Sequence, residues 1–253
     1  MLIEPNRRLF PFQPLAPASD SISFCIVLFT FLVFLNVSSL AQDKPKPKKD
    51  SASFGIQAGL SFSHFNVMHV PSYYPGGQNI VGFRGGVNGD FPLTRHISLR
   101  PEILFTQKGY KVHDVEDSIY LRTRLSYLKF PVNVVFKLLA LDHGTVAKDF
   151  LKFGVGPYFA YAIHGTYTAE SVSSSVKFSN HQVSATPASY GAYYKRYDAG
   201  VNYFLEFNLG KFYSQVGAAM GMTNIKPTME NAPTPHQSVY RNSCFNLSYG
   251  WRL

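Results

Sequence analysis

From Ser53 to the C-terminus, large apolar residues recur at every second position rather than at helical spacing. Phe54, Ile56, Ala58, Leu60 and Phe62 alternate with Gly55, Gln57, Gly59, Ser61 and Ser63. The same alternation runs through 81–91, 97–106, 127–138, 151–163, 197–207, 212–223 and 245–253. It predicts eight β-strands, each with one apolar face running along about ten residues of chain opposite a face of Gly, Ser, Asn and charge.

A soluble barrel would turn the large face inward. This face is too aromatic and too extensive for an eight-stranded interior, which is just wide enough for side chains to fill. Turning it toward lipid, with the small polar face inside, satisfies both surfaces and is the pattern of outer-membrane barrels. Closure follows, because an open edge in lipid leaves N–H and C=O groups unpaired. The expected fold class is all-β: an up-and-down, eight-stranded antiparallel transmembrane β-barrel. Connection lengths agree. Long gaps at 67–79, 111–119, 165–196 and 226–239 alternate with short ones at 92–96 and 208–211, with 139–149 the exception. Long loops outside and short turns in the periplasm place both termini in the periplasm. Pro101, Pro131 and Pro157 fall inside strands, where proline removes a ladder bond, and bulges are expected there.

Several segments resemble the small outer-membrane β-barrel family that includes the PorT-like proteins. They are Gly55-Ile56-Gln57-Ala58-Gly59-Leu60-Ser61, Gly82-Phe83-Arg84-Gly85-Gly86 and, most specifically, Leu99-Arg100-Pro101-Glu102-Ile103-Leu104-Phe105-Thr106-Gln107-Lys108-Gly109. Tyr127 to Val132, Gly154 to Tyr158 and Gly217 to Ile225 continue the resemblance, which runs from about Phe54 to Leu253. It implies an eight-stranded barrel of the Gram-negative outer membrane, and for some relatives a link to protein secretion. All three prolines belong to the pattern. The long 165–196 segment and a terminal Leu253 in place of Phe depart from it.

The N-terminal region has a different organisation. Residues 22–35 form the one long apolar run, too short for a membrane span of about 20 residues but suited to a signal-peptide core. With Arg7 and Arg8 upstream and Ser39-Leu40-Ala41 downstream, cleavage is expected after Ala41. The expected parts are a signal peptide at 1–41, a basic Pro/Lys-rich periplasmic linker at 42–52 and the barrel at 53–253. Charges in 1–41 (Glu4, Arg7, Arg8, Asp20) cancel, so the mature chain keeps the net charge of +9. Part of this sits in the linker lysines Lys44, Lys46, Lys48 and Lys49, which read as solvated chain rather than a nucleic-acid site. Cys25 leaves with the leader and Cys244 stands alone. That excludes a disulfide framework and a Cys-based zinc site.

The composition fits this division. Phe, Tyr and Trp number 22, 16 and 1, and charged residues are 15% of the chain against roughly 25% in soluble domains. Nine wall charges have inward parity: Arg84, Arg100, Lys129, Lys137 and Lys152 against Asp90, Glu102, Asp198 and Glu206. Near-neutral pairing suggests a lumen polar network that plugs the barrel, a selective pore being the alternative. Tyr249, Trp251 and Leu253 match an assembly signal read by the barrel-assembly machinery, or simply a lipid-facing strand end. Tyr110, Tyr120, Tyr158, Tyr197, Tyr203 and Tyr249 are expected in interfacial girdles. Ser63, His64 and His164 lie near the outer rim and would be the residues of a lipid-acting enzyme, but His64 has outward parity and no acid partner is visible. His113 to Asp117 could gather calcium or form a solvated tip.

The expected function is a non-enzymatic outer-membrane barrel with no cofactor and no metal. Its partners are outer-membrane lipid, the assembly machinery and secretion-system or envelope proteins, and loop 165–196 is the contact candidate. The alternatives are a rim enzyme acting on lipids and a soluble lipocalin-like binder with the faces reversed.

Overall fold

A computed structural model of the chain describes residues 51–68, 77–114, 119–139, 150–169, 172–181, 193–228 and 239–253. The expected signal peptide and most of the linker lie outside these residues. The strands are β1 (Ser53–Met68), β2 (Ile80–Pro92), β3 (Ile97–Asp114), β4 (Ile119–Leu139), β5 (Leu151–Ala169), β6 (Val172–Ser175), β7 (Lys177–Phe178), β8 (Tyr193–Tyr194), β9 (Tyr197–Leu209), β10 (Phe212–Gly221) and β11 (Val239–Arg252). Eight of them pair in the order β4-β3-β2-β1-β11-β10-β9-β5, and β4 also pairs with β5, so the sheet closes into an antiparallel barrel. The short β6 folds back on the end of β5, and β7 and β8 pair in parallel. Only Gly210 and Lys211 separate β9 from β10. Gly210 takes φ +68°, the left-handed conformation a side chain would oppose.

Period two becomes two surfaces. Phe54, Ile56, Val81, Phe83, Ile103 and Phe159 are about half exposed on the outer wall, which water would penalise and lipid does not. On β4 the outward row Leu138, Phe136, Val134, Val132, Phe130, Leu128 spans roughly 26 Å of barrel height at about 3.4 Å per residue and about 40° of tilt, the height of the apolar band of such barrels.

Three expectations change. The gap expected at 111–119 is largely strand: Lys111 pairs with Arg122 and Val112 with Leu121. Above the lipid the outward residues turn polar, so hydrophobic alternation fades while the hydrogen-bonded ladder continues.

The prolines are not accommodated by bulges. Register is unchanged across each one, and the ladder simply lapses on the side of the preceding strand. The lapse lies between the pairs Asn88↔Glu102 and Phe91↔Leu99 for Pro101, Pro101↔Val132 and Leu104↔Lys129 for Pro131, and Pro131↔Tyr158 and Val134↔Val155 for Pro157. A missing N–H costs one ladder bond and does not need an extra residue. The register shifts in this wall lie elsewhere, at Ser126/Tyr127 and Lys137/Leu139.

Tyr110 and Tyr158 do not join a girdle. Both are buried inside the barrel, because they share the inward parity of Lys108 and Gly156.

Candidate functional site

Residues of inward parity line the lumen in three layers. At the end holding the short turns, the Arg100 guanidinium lies between two carboxylates. It donates Nη2 to Asp90 Oδ2 at 2.7 Å and binds Glu206 through both Nη1 and Nη2. Arg252, from the last strand, reaches Glu206 Oε1 at 2.5 Å and Asp90 Oδ2 at 3.4 Å. Lys152 lies 3.3 Å from the same Asp90 oxygen. Glu102 accepts from Gln57 at 3.1 Å and from Asn133 at 3.3 Å, and pairs with Arg84 at 3.6 Å. Cross-lumen contacts of this kind tie β3 to β9, which are not neighbours in the sheet.

Asp198 is the hub of the middle layer. It accepts from Lys108 Nζ at 2.9 Å, Asn242 Nδ2 at 2.8 Å, Tyr158 OH at 3.1 Å and Thr223 Oγ1 at 3.2 Å. Lys129 donates to Asn202 Oδ1 at 2.8 Å. The Tyr158 ring lies between the two ammonium groups, 4.8 Å from Lys108 Nζ and 4.2 Å from Lys129 Nζ.

The third layer, at the loop end, is aromatic. Phe65, Tyr110 and Tyr240 from the wall meet Tyr194 of β8, and Val176 and Ile225 from the connections join the same buried cluster. The inserted segments are fixed through backbone: Lys195 N–H donates to Ile225 O at 2.6 Å, Ile225 N–H to Tyr240 O at 2.9 Å and Ser179 N–H to Tyr194 O at 3.0 Å. Tyr194, expected on a contact loop, is fully buried instead. It is an aromatic residue that finds a cavity to fill.

Lys226 lies over the rings of Tyr194 and Tyr240 at 4.6 and 5.5 Å. Burial pulls its pKa down from 10.5 to about 8, and the rings partly offset this by favouring the cation. A lysine depressed in the folded state costs most where it must be charged, below about pH 8, and nothing above about pH 10.5. Docking of the inserted segments that carry Tyr194 and Ile225, which together cap the loop end, should therefore tighten as pH rises from about 8 to 10.5. Protease protection of 193–196 should rise over that window, and Lys226→Met should abolish the dependence.

Of the sequence-derived charges, Arg84, Asp90, Arg100, Glu102, Lys129, Lys152, Asp198 and Glu206 are buried in the interior. Lys137 is half-buried near the short-turn end, where its amide donates to His96 O at 2.9 Å. Sequence reasoning missed Lys108 and Arg252, although both continue the inward parity of their strands. Tyr249 and Trp251 face outward and flank Phe212, with centroids 5.7 and 4.4 Å away. Leu253 donates its amide to Phe54 O at 2.9 Å, closing the final seam.

The rim residues do not assemble. Ser63 points inward and accepts from the Gly109 amide at 2.9 Å. His64 lies on the outer wall against Asn66 at 2.8 Å. His164 is exposed on β5, across the ring from β1. Of the 113–117 segment, only positions 113 and 114 are among the described residues. Among the described residues no three His, Cys, Asp or Glu converge on one point.

The sequence matches the model of a family described as "outer membrane protein beta-barrel domain" over residues 40–230, which is 191 of 253 residues. No curated protein matches it. Among solved structures, the chain is similar to Neisserial surface protein A, at 10% identity and a TM-score of 0.43, covering 81% of this chain and 100% of that one. It is also similar to the attachment invasion locus protein of Yersinia pestis, at 11% identity and a TM-score of 0.40, with the same coverage. Likenesses this distant carry no functional information.

Proposed function

Since the chain belongs to the outer membrane protein beta-barrel domain family, and so to the outer membrane, we propose that it is a non-enzymatic barrel that closes its own lumen. It anchors a rim for contact with other envelope components. One observation carries the reading: the lumen is crossed by the Asp90–Arg100–Glu206–Arg252 cluster at one end and filled by Tyr194, Tyr110, Phe65 and Tyr240 at the other. A conducting pore needs a continuous hydrated path, and these side chains occupy it. In planar bilayers the purified full chain should give no steady single-channel conductance. A stable open level would overturn the plug in favour of a selective pore.

Within this reading the PorT-like kinship, export by a signal peptide ending at Ala41 and recognition of Tyr249, Trp251 and Leu253 by the assembly machinery belong together. A secretion-associated role is consistent with exposed β6 at the loop end, where Val172 is 69% exposed. Lipid-modifying activity at the rim is disfavoured by the separation of Ser63, His64 and His164. Alanine at all three should leave the membrane lipid profile unchanged.

A further inference from the structure

Charge is segregated through the wall. Among residues whose side chains are described there are four carboxylates, Asp90, Glu102, Asp198 and Glu206, and all face the lumen. On the outside, beyond the apolar belt at the loop end, the outward positions of these strands include the cations Lys111 on β3, Arg122 and Arg124 on β4 and Arg241 on β11. Lys111 and Arg122 are direct cross-strand partners. Like charges opposite one another destabilise a sheet unless a counter-charge lies between them.

Arg124 extends along the wall to donate Nη2 to Val81 O at 3.3 Å. Its Nε and that of Arg241 have no acceptor among the described residues. Arg122, Arg124 and Arg241 are only part-buried, so their guanidinium groups remain within reach of an oxyanion approaching from the bilayer side. On β4 the sequence of outward residues is Leu128, Ser126, Arg124, Arg122, so the cations begin two outward positions above the hydrocarbon, in the headgroup layer. Their aliphatic stems can lie on the apolar belt while the charged ends meet the headgroups. His64, Asn66, His164, Thr166 and Thr168 continue a polar arc between and beside them.

We propose that Lys111, Arg122, Arg124 and Arg241 form a binding arc for the phosphate groups of anionic lipid headgroups in the outer leaflet. This rests on the outer-membrane orientation given above, with the loop end outward. Lipid phosphate bound there supplies the counter-charge that relieves the Lys111–Arg122 repulsion, so it stabilises the folded barrel by mass action.

The test uses the purified full chain in neutral detergent and reads the temperature at which the folded band disappears on an unboiled gel. Bisphosphorylated lipid A should raise that temperature by several degrees, and the same lipid stripped of its phosphates should not. The Arg122→Gln/Arg124→Gln variant, changed only on the outer wall, should still fold, with the Lys111–Arg122 repulsion already removed, and should lose the gain. Arg241→Gln, on a different strand, should lose part of it. Inorganic phosphate should have no effect, and a gain from it would assign a free-anion site and overturn the lipid. Equal gains from both lipids, or an undiminished gain in both variants, would also overturn the arc. A chain that shows no boiled-versus-unboiled shift at all overturns the barrel reading itself, whereas a normal shift without phosphate dependence overturns this inference alone.

Discussion

Arg100→Ala is expected to lower the stability of the barrel by about 3–5 kcal/mol, the usual cost of removing one partner from a buried ion cluster. The guanidinium is fully buried and its two carboxylate partners, Asp90 and Glu206, are buried with it. Without Arg100 the two carboxylates keep, among the described residues, the cation of Arg252, and Asp90 also keeps Lys152. That residual pairing points to the lower end of the range. The loss is read as a shift in urea midpoint, followed by the disappearance of the folded band on an unboiled gel. Arg100→Met combined with Glu206→Gln separates charge from packing. It removes one cation and one carboxylate and leaves Asp90 with Lys152 and Arg252, so it should recover part of the stability that Arg100→Ala loses. A shift below about 1 kcal/mol for Arg100→Ala, typical of solvated pairs, would mean that water reaches the cluster, and the closed lumen would be abandoned.

Gly156→Ala should be more severe, to the point that little folded barrel is recovered. A methyl group at Gly156 would land on the Val132 carbonyl and within 2.7 Å of the Asn133 Cα. These are backbone atoms of the adjacent strand, so no rotamer change can make room. The neighbouring ladder already lacks pairs at this point, because Pro157 gives β4 no N–H. Forcing β4 and β5 further apart would open the wall to lipid, where unpaired peptide groups cost several kcal/mol each. Gly55→Ala is the control: its nearest atoms would be 3.0 to 3.4 Å away, among them the movable side chains of Asn88 and Tyr213. It should fold with a small loss. Equal yields of the two variants after refolding into detergent would show that the close approach at Gly156 is not maintained in the folded barrel.

Much of the site was legible because a strand has only two faces. Once the apolar residues of β3 are placed outside, Arg100, Glu102 and Lys108 must point inside, and the same parity assigns Asp198 and Glu206 on β9 and Arg252 on β11. Lys108 and Arg252 were within reach of that rule, and so were Tyr110 and Tyr158. All four were missed or misplaced where residue type was weighed above parity. Tyrosine is common at membrane interfaces, but here Tyr158 lies between two ammonium groups and Tyr110 packs against Phe65 and Tyr240 in the lumen.

Pairing across the lumen was not legible. Parity says that Arg100 and Glu206 share an interior, but not that they meet, because β3 and β9 face each other only after the sheet closes with a particular stagger. The cap was hidden for a related reason. Tyr194 and Ile225 lie in connections without a repeating pattern, and only the mouth of the finished barrel offers the cavity they fill. The sequence by itself therefore determined the two surfaces of the wall and their exchange of inside for outside, since period two in lipid admits a closed sheet and little else. The tertiary structure decided which charges neutralise which, where the prolines interrupt the ladder and how the loop end is filled, because each of these depends on distances between residues far apart in the chain that only barrel closure fixes.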